Sequence, residues 1–108
     1  MHAPAKIVEG IFSRKEHLSH DIYSFYFVLP QDFHFHAGQY VQISLPHDNP
    51  DEEGTTRYFT IASSPTEKEL MITTRLRESS FKKVLFHLEK GTKVQFFGPI
   101  GTFVLPTV

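Results

Sequence analysis

Residues 21–29 read DIYSFYFVL, and this stretch decides the fold class. Tyr23, Phe25, Phe27 and Leu29 alternate with their neighbours, so they share one face of an extended chain. Aromatic and β-branched residues favour strands, because their side chains pack well on a pleated surface. We therefore predict a β-strand over residues 21–29 whose aromatic face lies in a core.

Short runs of the same kind lie on both sides of this strand. Seven Pro and six Gly divide the chain into segments that are mostly too short for helices. The further predicted strands cover residues 6–13, 39–45, 57–63, 69–77, 92–97 and 102–105. A polar, acidic stretch at residues 47–56, HDNPDEEGTT, is predicted to be an exposed hairpin loop. Short strands joined by turns, with little helix, indicate an antiparallel barrel or sandwich.

One segment has helical periodicity. Phe81, Val84, Leu85 and Leu88 follow the i, i+3, i+4, i+7 spacing of an apolar helix face, and Gly91 comes after them. We predict a helix over residues 81–90 that packs on the sheet.

The composition excludes several classes of protein. The chain has 108 residues, enough for one domain, and a formal net charge of −1, which argues against a general nucleic-acid-binding surface. It has no Cys, and therefore no disulfide, thiolate nucleophile or Cys-ligated metal cluster. No apolar run approaches the roughly 20 residues of a membrane span. We expect a cytoplasmic protein without membrane insertion.

The predicted helix begins with an unusual set of charges. Helix N-termini favour acidic residues, yet this one has cations and hydroxyls around its first turn. These residues are Arg75 and Arg77 upstream, Ser79 and Ser80 as N-cap candidates, and Lys82 and Lys83 in the first turn. Two interpretations are open: the lysines face solvent, or the group binds a phosphate or pyrophosphate.

The preceding segment, TRYFTIASSP at residues 56–65, has the residue types of a nucleotide site. Arg57 and Phe59 share one strand face, and Tyr58 and Thr60 share the other. A guanidinium suits phosphate oxygens, an aromatic ring suits a flat heterocycle, and a hydroxyl can donate to a ring nitrogen.

Four stretches in order resemble the flavin-binding barrel of the ferredoxin–NADP reductase superfamily. They are HAGQYVQISLP at 36–46, RYFTIASSP at 57–65, MITTRLR at 71–77 and SSFKKVLFHLEKGTKVQFFGPIGTFVL at 79–105. The resemblance covers about residues 6–105. It implies that residues 1–108 are one FAD-binding domain, an all-β, mainly antiparallel, six-stranded Greek-key barrel capped by one α-helix.

The resemblance also implies roles for individual residues. Arg57 would bind the flavin phosphates, Phe59 would pack against the isoalloxazine, and Thr60 would hydrogen-bond its reactive nitrogen as the catalytic residue. Tyr58 and the segment Ile72, Thr73, Thr74 and Arg75 would contact the ribityl and adenosine parts, largely through the backbone. Ser79, Ser80, Phe81 and Lys82 would meet the phosphates. This sequence departs from the family at two positions, with Phe59 in place of the usual Tyr and Lys82 where many relatives have Ser or Thr. Neither departure removes the case for a flavin, and FAD is the preferred cofactor, with FMN as the alternative.

The implied function is that of an NAD(P)H-dependent flavoprotein oxidoreductase, which passes electrons from a reduced pyridine nucleotide through FAD to a protein or small acceptor. The sequence GPIG is not a dinucleotide fingerprint, so we expect the NAD(P)-binding domain to lie C-terminal to this chain.

Two alternative functions are a non-catalytic flavin-binding or regulatory barrel and an OB-like nucleic-acid-binding barrel. His34 and His36 have the spacing of half a metal site, but solvated histidines are the preferred interpretation, and we predict no metal site and no nucleic-acid partner.

Overall fold

A six-stranded antiparallel sheet and one short helix make up the described structure. The computed structural model describes residues 5–36, 38–46, 54–64, 67–77 and 79–101. The elements in chain order are β1 (Lys6–Ser19), β2 (Ile22–Val28), β3 (Tyr40–Ser44), β4 (Thr56–Thr60), β5 (Leu70–Arg75), α1 (Ser80–Phe86) and β6 (Lys93–Ile100). The predicted strand at 102–105 and most of the predicted loop at 47–56 lie outside the described residues.

The order of strands across the sheet is β4-β3-β6-β1-β2-β5. The last strand, β6, lies between β3 and β1, which is a Greek-key connection. β4 and β5 are the two edge strands of this sheet. They approach each other where the Ala62 N–H donates to the Met71 carbonyl, at 2.8 Å. The predicted antiparallel Greek-key barrel with one helix is confirmed, with a split between β4 and β5.

The core is aromatic. Phe25 and Phe27 of β2 are fully buried, as the alternation of residues 21–29 predicts, and the ring of Phe27 packs edge-on against Phe96 at 5.0 Å between centroids. Helix α1 inserts Phe81 and Leu85, both fully buried, into the same core. Burial of two large side chains fixes this short helix on the barrel, since seven residues are too few for a stable isolated helix.

The predicted end of the first strand is wrong. β1 continues past residue 13 to Ser19, and its polar second half pairs with β2 as a long hairpin. Most side chains in this half are exposed on both faces, so no apolar alternation marks them as a strand. The backbone ladder to β2, with two register shifts, holds the segment extended.

The predicted helix over residues 81–90 is too long. α1 ends at Phe86, and the N–H of Leu88 donates to the Leu85 carbonyl in a tighter turn. The carbonyl of Phe86, which the N–H of residue 90 would meet in a longer helix, accepts from the Lys15 ammonium at 2.6 Å. Gly91, at φ +93°, lies in the turn before β6 and is not the residue that ends the helix.

The last described strand is longer than predicted. β6 continues from residue 97 through Gly98 and Pro99 to Ile100. On β3, Tyr40 pairs with Ile100 and Gln42 with Phe97, so β6 has one extra residue at this point. Pro99 lacks an N–H, and a bulge is a position in a sheet where proline is accepted.

Candidate functional site

A cleft of about 410 Å³ opens at the split between β4 and β5. Its lining residues come from β4, from the end of β5, from the short connection that follows β5, and from the start of α1. They are Arg57, Tyr58, Phe59, Thr74, Arg77, Ser79 and Lys82. Six of these seven are predicted site residues, so the fold brings the two separate sequence segments together.

Arg57 is held in place by the turn that precedes β4. Its guanidinium donates to the carbonyls of Gly54, at 3.1 Å, and Thr56, at 3.0 Å. The guanidinium carbon lies 5.2 Å from the ring centroid of Phe81, in cation–π range. These contacts position a half-buried cation on the β4 side of the cleft.

The opposite side is built by the N-terminus of α1. Of the two predicted N-cap candidates, Ser79 is the N-cap, and its hydroxyl oxygen accepts from the Lys82 N–H at 3.1 Å. The Lys82 ammonium donates to the carbonyl of Arg75 at 2.6 Å, which ties the helix to the end of β5. The first turn of α1 contains no acidic residue.

The two strand-end arginines lie in different places. Arg77 lines the cleft, whereas the guanidinium of Arg75 lies 3.5 Å from the Asp21 carboxylate, away from it. Sequence reasoning noted Arg77 as a nearby cation and did not assign it to the site. No sequence signal separated the two, because the predicted strand over residues 69–77 contains both arginines. In the structure β5 ends at Arg75, and Arg77 lies in the short connection close to the N-cap.

The aromatic residues of β4 divide between core and surface. Phe59 is 8% exposed, because its ring packs 5.8 Å from that of Phe81, so little of the ring faces the cleft. Tyr58 is 64% exposed and also lines the cleft, and it offers the larger aromatic surface there. Thr60 is exposed on the same strand face as Tyr58, about 7 Å further along β4 at the usual strand rise.

The remaining predicted residues surround the cleft without lining it. Ile72 and Phe81 are fully buried, and their side chains belong to the core. Thr73 is exposed, and its hydroxyl pairs with that of Ser24 at 2.8 Å. Ser80, at the start of α1, is half-buried. The roles predicted for these residues and for Arg75 stay predictions.

The electrostatics of the cleft favour an anion. Three cationic side chains line it, those of Arg57, Arg77 and Lys82, and no acidic side chain is among the described lining residues. A cleft with one sign of charge concentrates ligands of the opposite charge. Guanidinium groups, an ammonium and a hydroxyl are also the donors that recognise phosphate oxygens.

The histidine pair lies elsewhere. His34 and His36 are exposed in the connection between β2 and β3, not on a strand. Among the residues that the model describes, no group of three or more His, Asp or Glu could hold a metal ion. Nor does this part of the chain contain a helix long and apolar enough to cross a membrane.

Comparisons with known proteins identify the family of this chain. A curated relative, the ferredoxin–NAD(P)⁺ reductase component of the naphthalene 1,2-dioxygenase system of Pseudomonas putida, is 29% identical over 106 residues. That match covers 94% of this chain and 30% of the relative, so the chain spans under a third of the relative's length.

Solved structures share the fold. A cytochrome P450 reductase of Amycolatopsis superposes with a TM-score of 0.77 at 23% identity, over 95% of this chain and 31% of that one. A ferredoxin–NADP⁺ reductase of Neisseria gonorrhoeae, with bound FAD and NADP, gives a TM-score of 0.70 at 16% identity, over 84% and 36%. The model of the oxidoreductase FAD-binding domain family matches residues 9–105. The predicted family is therefore confirmed, and the chain belongs to the oxidoreductase FAD-binding domain family.

Proposed function

We propose that the cleft between β4 and α1 holds the phosphates of FAD. The observation that carries this proposal is the convergence of Arg57, Arg77, Lys82 and the Ser79 hydroxyl from separate elements onto one cleft without a described acidic side chain. A pyrophosphate carries negative charge on two groups, and three cations can neutralise both. The residues present therefore fit the group that the family binds.

The flavin ring would lie on the outer face of β4. Tyr58 connects the cleft to this face, and Thr60 follows it there with an exposed hydroxyl. Thr60 would hydrogen-bond the reactive ring nitrogen, while Tyr58 would pack against the ring or the ribityl chain. Phe59 would contribute through the small part of its ring that reaches the cleft and by supporting Phe81.

When bound, the flavin supplies hydride and electron transfer, and the chain supplies binding, orientation and charge neutralisation. Arg57, Arg77 and Lys82 would bind the phosphates, and the Thr60 hydroxyl would hold a hydrogen bond at the ring. We infer that the domain serves an NAD(P)H-dependent oxidoreductase, with an NAD(P)-binding domain and a protein or small electron acceptor as partners. The name of the naphthalene dioxygenase reductase component, which includes both ferredoxin and NAD(P)⁺, supports this inference.

FAD is preferred to FMN as the cofactor. The matching family is named for FAD, and the gonococcal reductase has FAD bound, whereas neither comparison supports FMN. The finer choice of NADH or NADPH depends on residues that would meet the 2′ position of the adenosine ribose, where the two nucleotides differ.

The direct test is a titration of the purified chain with FAD, FMN and riboflavin, followed by flavin fluorescence and visible absorption. We expect saturable FAD binding that is tighter than riboflavin binding, because riboflavin has no phosphate for the cationic cleft. Binding that does not distinguish FAD from riboflavin would contradict the assignment of the cleft to phosphates.

A further inference from the structure

The long hairpin of β1 and β2 reaches beyond the rest of the sheet. β1 pairs with β6 only as far as Ile11, and its second half pairs with β2 alone. This overhanging part of the hairpin meets the C-terminal end of α1. The overhang therefore connects a distant strand to the helix whose other end forms the cleft.

The contact is made by Lys15. Its ammonium donates to the carbonyl of Phe86 at 2.6 Å and lies 3.6 Å from the centroid of the Phe86 ring. Tyr23 of β2 packs edge-on against the same ring, at 5.2 Å between centroids. His17 stacks on Tyr23 at 4.5 Å and supports it from the hairpin side. We call Lys15, Tyr23 and Phe86 the helix clamp.

The clamp supplies a hydrogen-bond donor at the C-terminal end of α1. The last carbonyls of a helix accept no hydrogen bond from N–H groups of the same helix. Phe86 is the last residue of α1, so its carbonyl is one of these. A cation at this position also interacts favourably with the negative end of the helix. At 1.5 Å per residue, the seven residues of α1 span about 10 Å, so a shift at Phe86 moves the far end as well.

That far end is part of the cleft. Ser79 caps α1 and Lys82 lies in its first turn, and both line the cleft, whereas Lys15 does not. The helix is too short to keep its place without contacts from the barrel. Phe81 and Leu85 fix its depth in the core, and the clamp fixes its C-terminal end.

We propose that Lys15 is a positioning residue for phosphate binding, which holds α1 so that Ser79 and Lys82 stay aligned on the cleft. This inference rests on the proposed function. It predicts that a substitution outside the cleft weakens FAD binding through the position of the helix. The competing explanation is that any nearby cation attracts the phosphates at long range.

Three variants separate the two explanations. Lys15→Met keeps the aliphatic stem and removes the charge, and Lys15→Arg keeps a donor that can also lie over the ring. Lys90→Met removes the same charge from an exposed lysine in the turn that follows α1. At 1 M salt the Debye length is about 3 Å, so long-range attraction is screened while the position of the helix still matters.

We expect Lys15→Met to weaken FAD binding about three- to tenfold, because the apparent affinity falls with the fraction of molecules in which α1 keeps Ser79 and Lys82 aligned on the cleft. The affinity of this variant for FAD should be lower than that of the unsubstituted chain by the same factor at low salt and at high salt. Lys15→Arg should bind within about twofold of the unsubstituted chain. Lys90→Met should have a smaller effect that disappears at high salt.

Hydrogen exchange without added FAD gives a second measurement. In Lys15→Met, the amides of α1 should exchange faster while those of β6 and the first half of β1 keep their protection. Phe86→Leu removes the ring but keeps the carbonyl, and it should change both measurements in the same direction by less. This variant tests the clamp even where Lys15→Met does not fold.

Several results would overturn the inference. Unchanged FAD affinity in folded Lys15→Met, or a loss that vanishes at high salt, would assign Lys15 no positioning role. If the unsubstituted chain binds FAD and loses it in Arg57→Gln while Lys15→Met stays normal, the inference alone fails. If the unsubstituted chain binds no FAD, the proposed function fails and the inference fails with it.

Discussion

Removal of the Arg57 charge is the sharpest test of the proposed phosphate site. The guanidinium is half-buried, is oriented by two backbone carbonyls at 3.0 and 3.1 Å, and lies against the Phe81 ring. A cation held in this way binds a phosphate with little loss of side-chain entropy. A hydrogen bond to a charged group is worth about 1.5–3 kcal/mol, or roughly ten- to a hundredfold in Kd.

Two substitutions at this position separate charge from shape. Arg57→Gln retains donors for the neighbouring carbonyls and loses the charge, and Arg57→Lys retains the charge and loses the planar fork. We expect FAD affinity to decrease in the order Arg, Lys, Gln. Arg75→Gln is a matched control, because Arg75 lies beside Asp21 and outside the cleft, and its change should stay below about threefold.

The assay is equilibrium titration of flavin fluorescence at low ionic strength, repeated over a series of salt concentrations. Loss of the phosphate contact should lower the affinity for FAD and flatten its salt dependence, and leave the affinity for riboflavin unchanged. Circular dichroism verifies that each variant is folded. A folded Arg57→Gln chain that binds FAD within twofold of the unsubstituted chain would refute the assignment of Arg57 to the phosphates.

Three further predictions concern catalysis, the core and the response to acid. In a polypeptide that includes the nicotinamide-binding domain, Thr60→Val should retain FAD and slow its reduction by NAD(P)H in stopped-flow absorbance; normal reduction would leave the hydroxyl without a role. Leu85→Ala removes a fully buried side chain and should lower the free energy of unfolding by about 2–5 kcal/mol in urea denaturation. A change below about 1 kcal/mol would contradict its place in the core. Lys6 lies 2.9 Å from the Asp32 carboxylate and lowers the pKa of Asp32. The pair therefore stabilises the fold at neutral pH, and this contribution is lost as the pH falls through that lowered pKa. Asp32→Asn should therefore melt at a lower temperature than the unsubstituted chain at neutral pH and at the same temperature in strong acid, whereas an equal difference at both pH values would exclude the linkage.

The strands with one buried face were predictable from the sequence. Residues 21–29 alternate apolar side chains because one face of β2 packs in the core, and the observed strand, Ile22–Val28, differs by one residue at each end. The second half of β1 carried no such signal, since its side chains are mostly exposed on both faces. Only the ladder to β2, a contact between distant residues, decides that this segment is extended.

Some residues of the cleft were likewise predictable from the sequence, and others were not. Arg57, Ser79 and Lys82 were identifiable because their residue types suit phosphates and occur in the order of a known family. Arg75 and Arg77 look equivalent in the sequence, and only the structure separates them, because β5 ends at Arg75 and the turn that follows directs Arg77 to the cleft.

The sequence by itself determined the fold class, the family and the two segments that line the cleft, because alternation and motif order are local properties of the chain. The tertiary structure decided where α1 ends, which arginine joins the cleft, and that Lys15 meets Phe86 across 71 residues. Each of these depends on how two remote segments pack together. Such packing leaves no periodic signal in either segment alone.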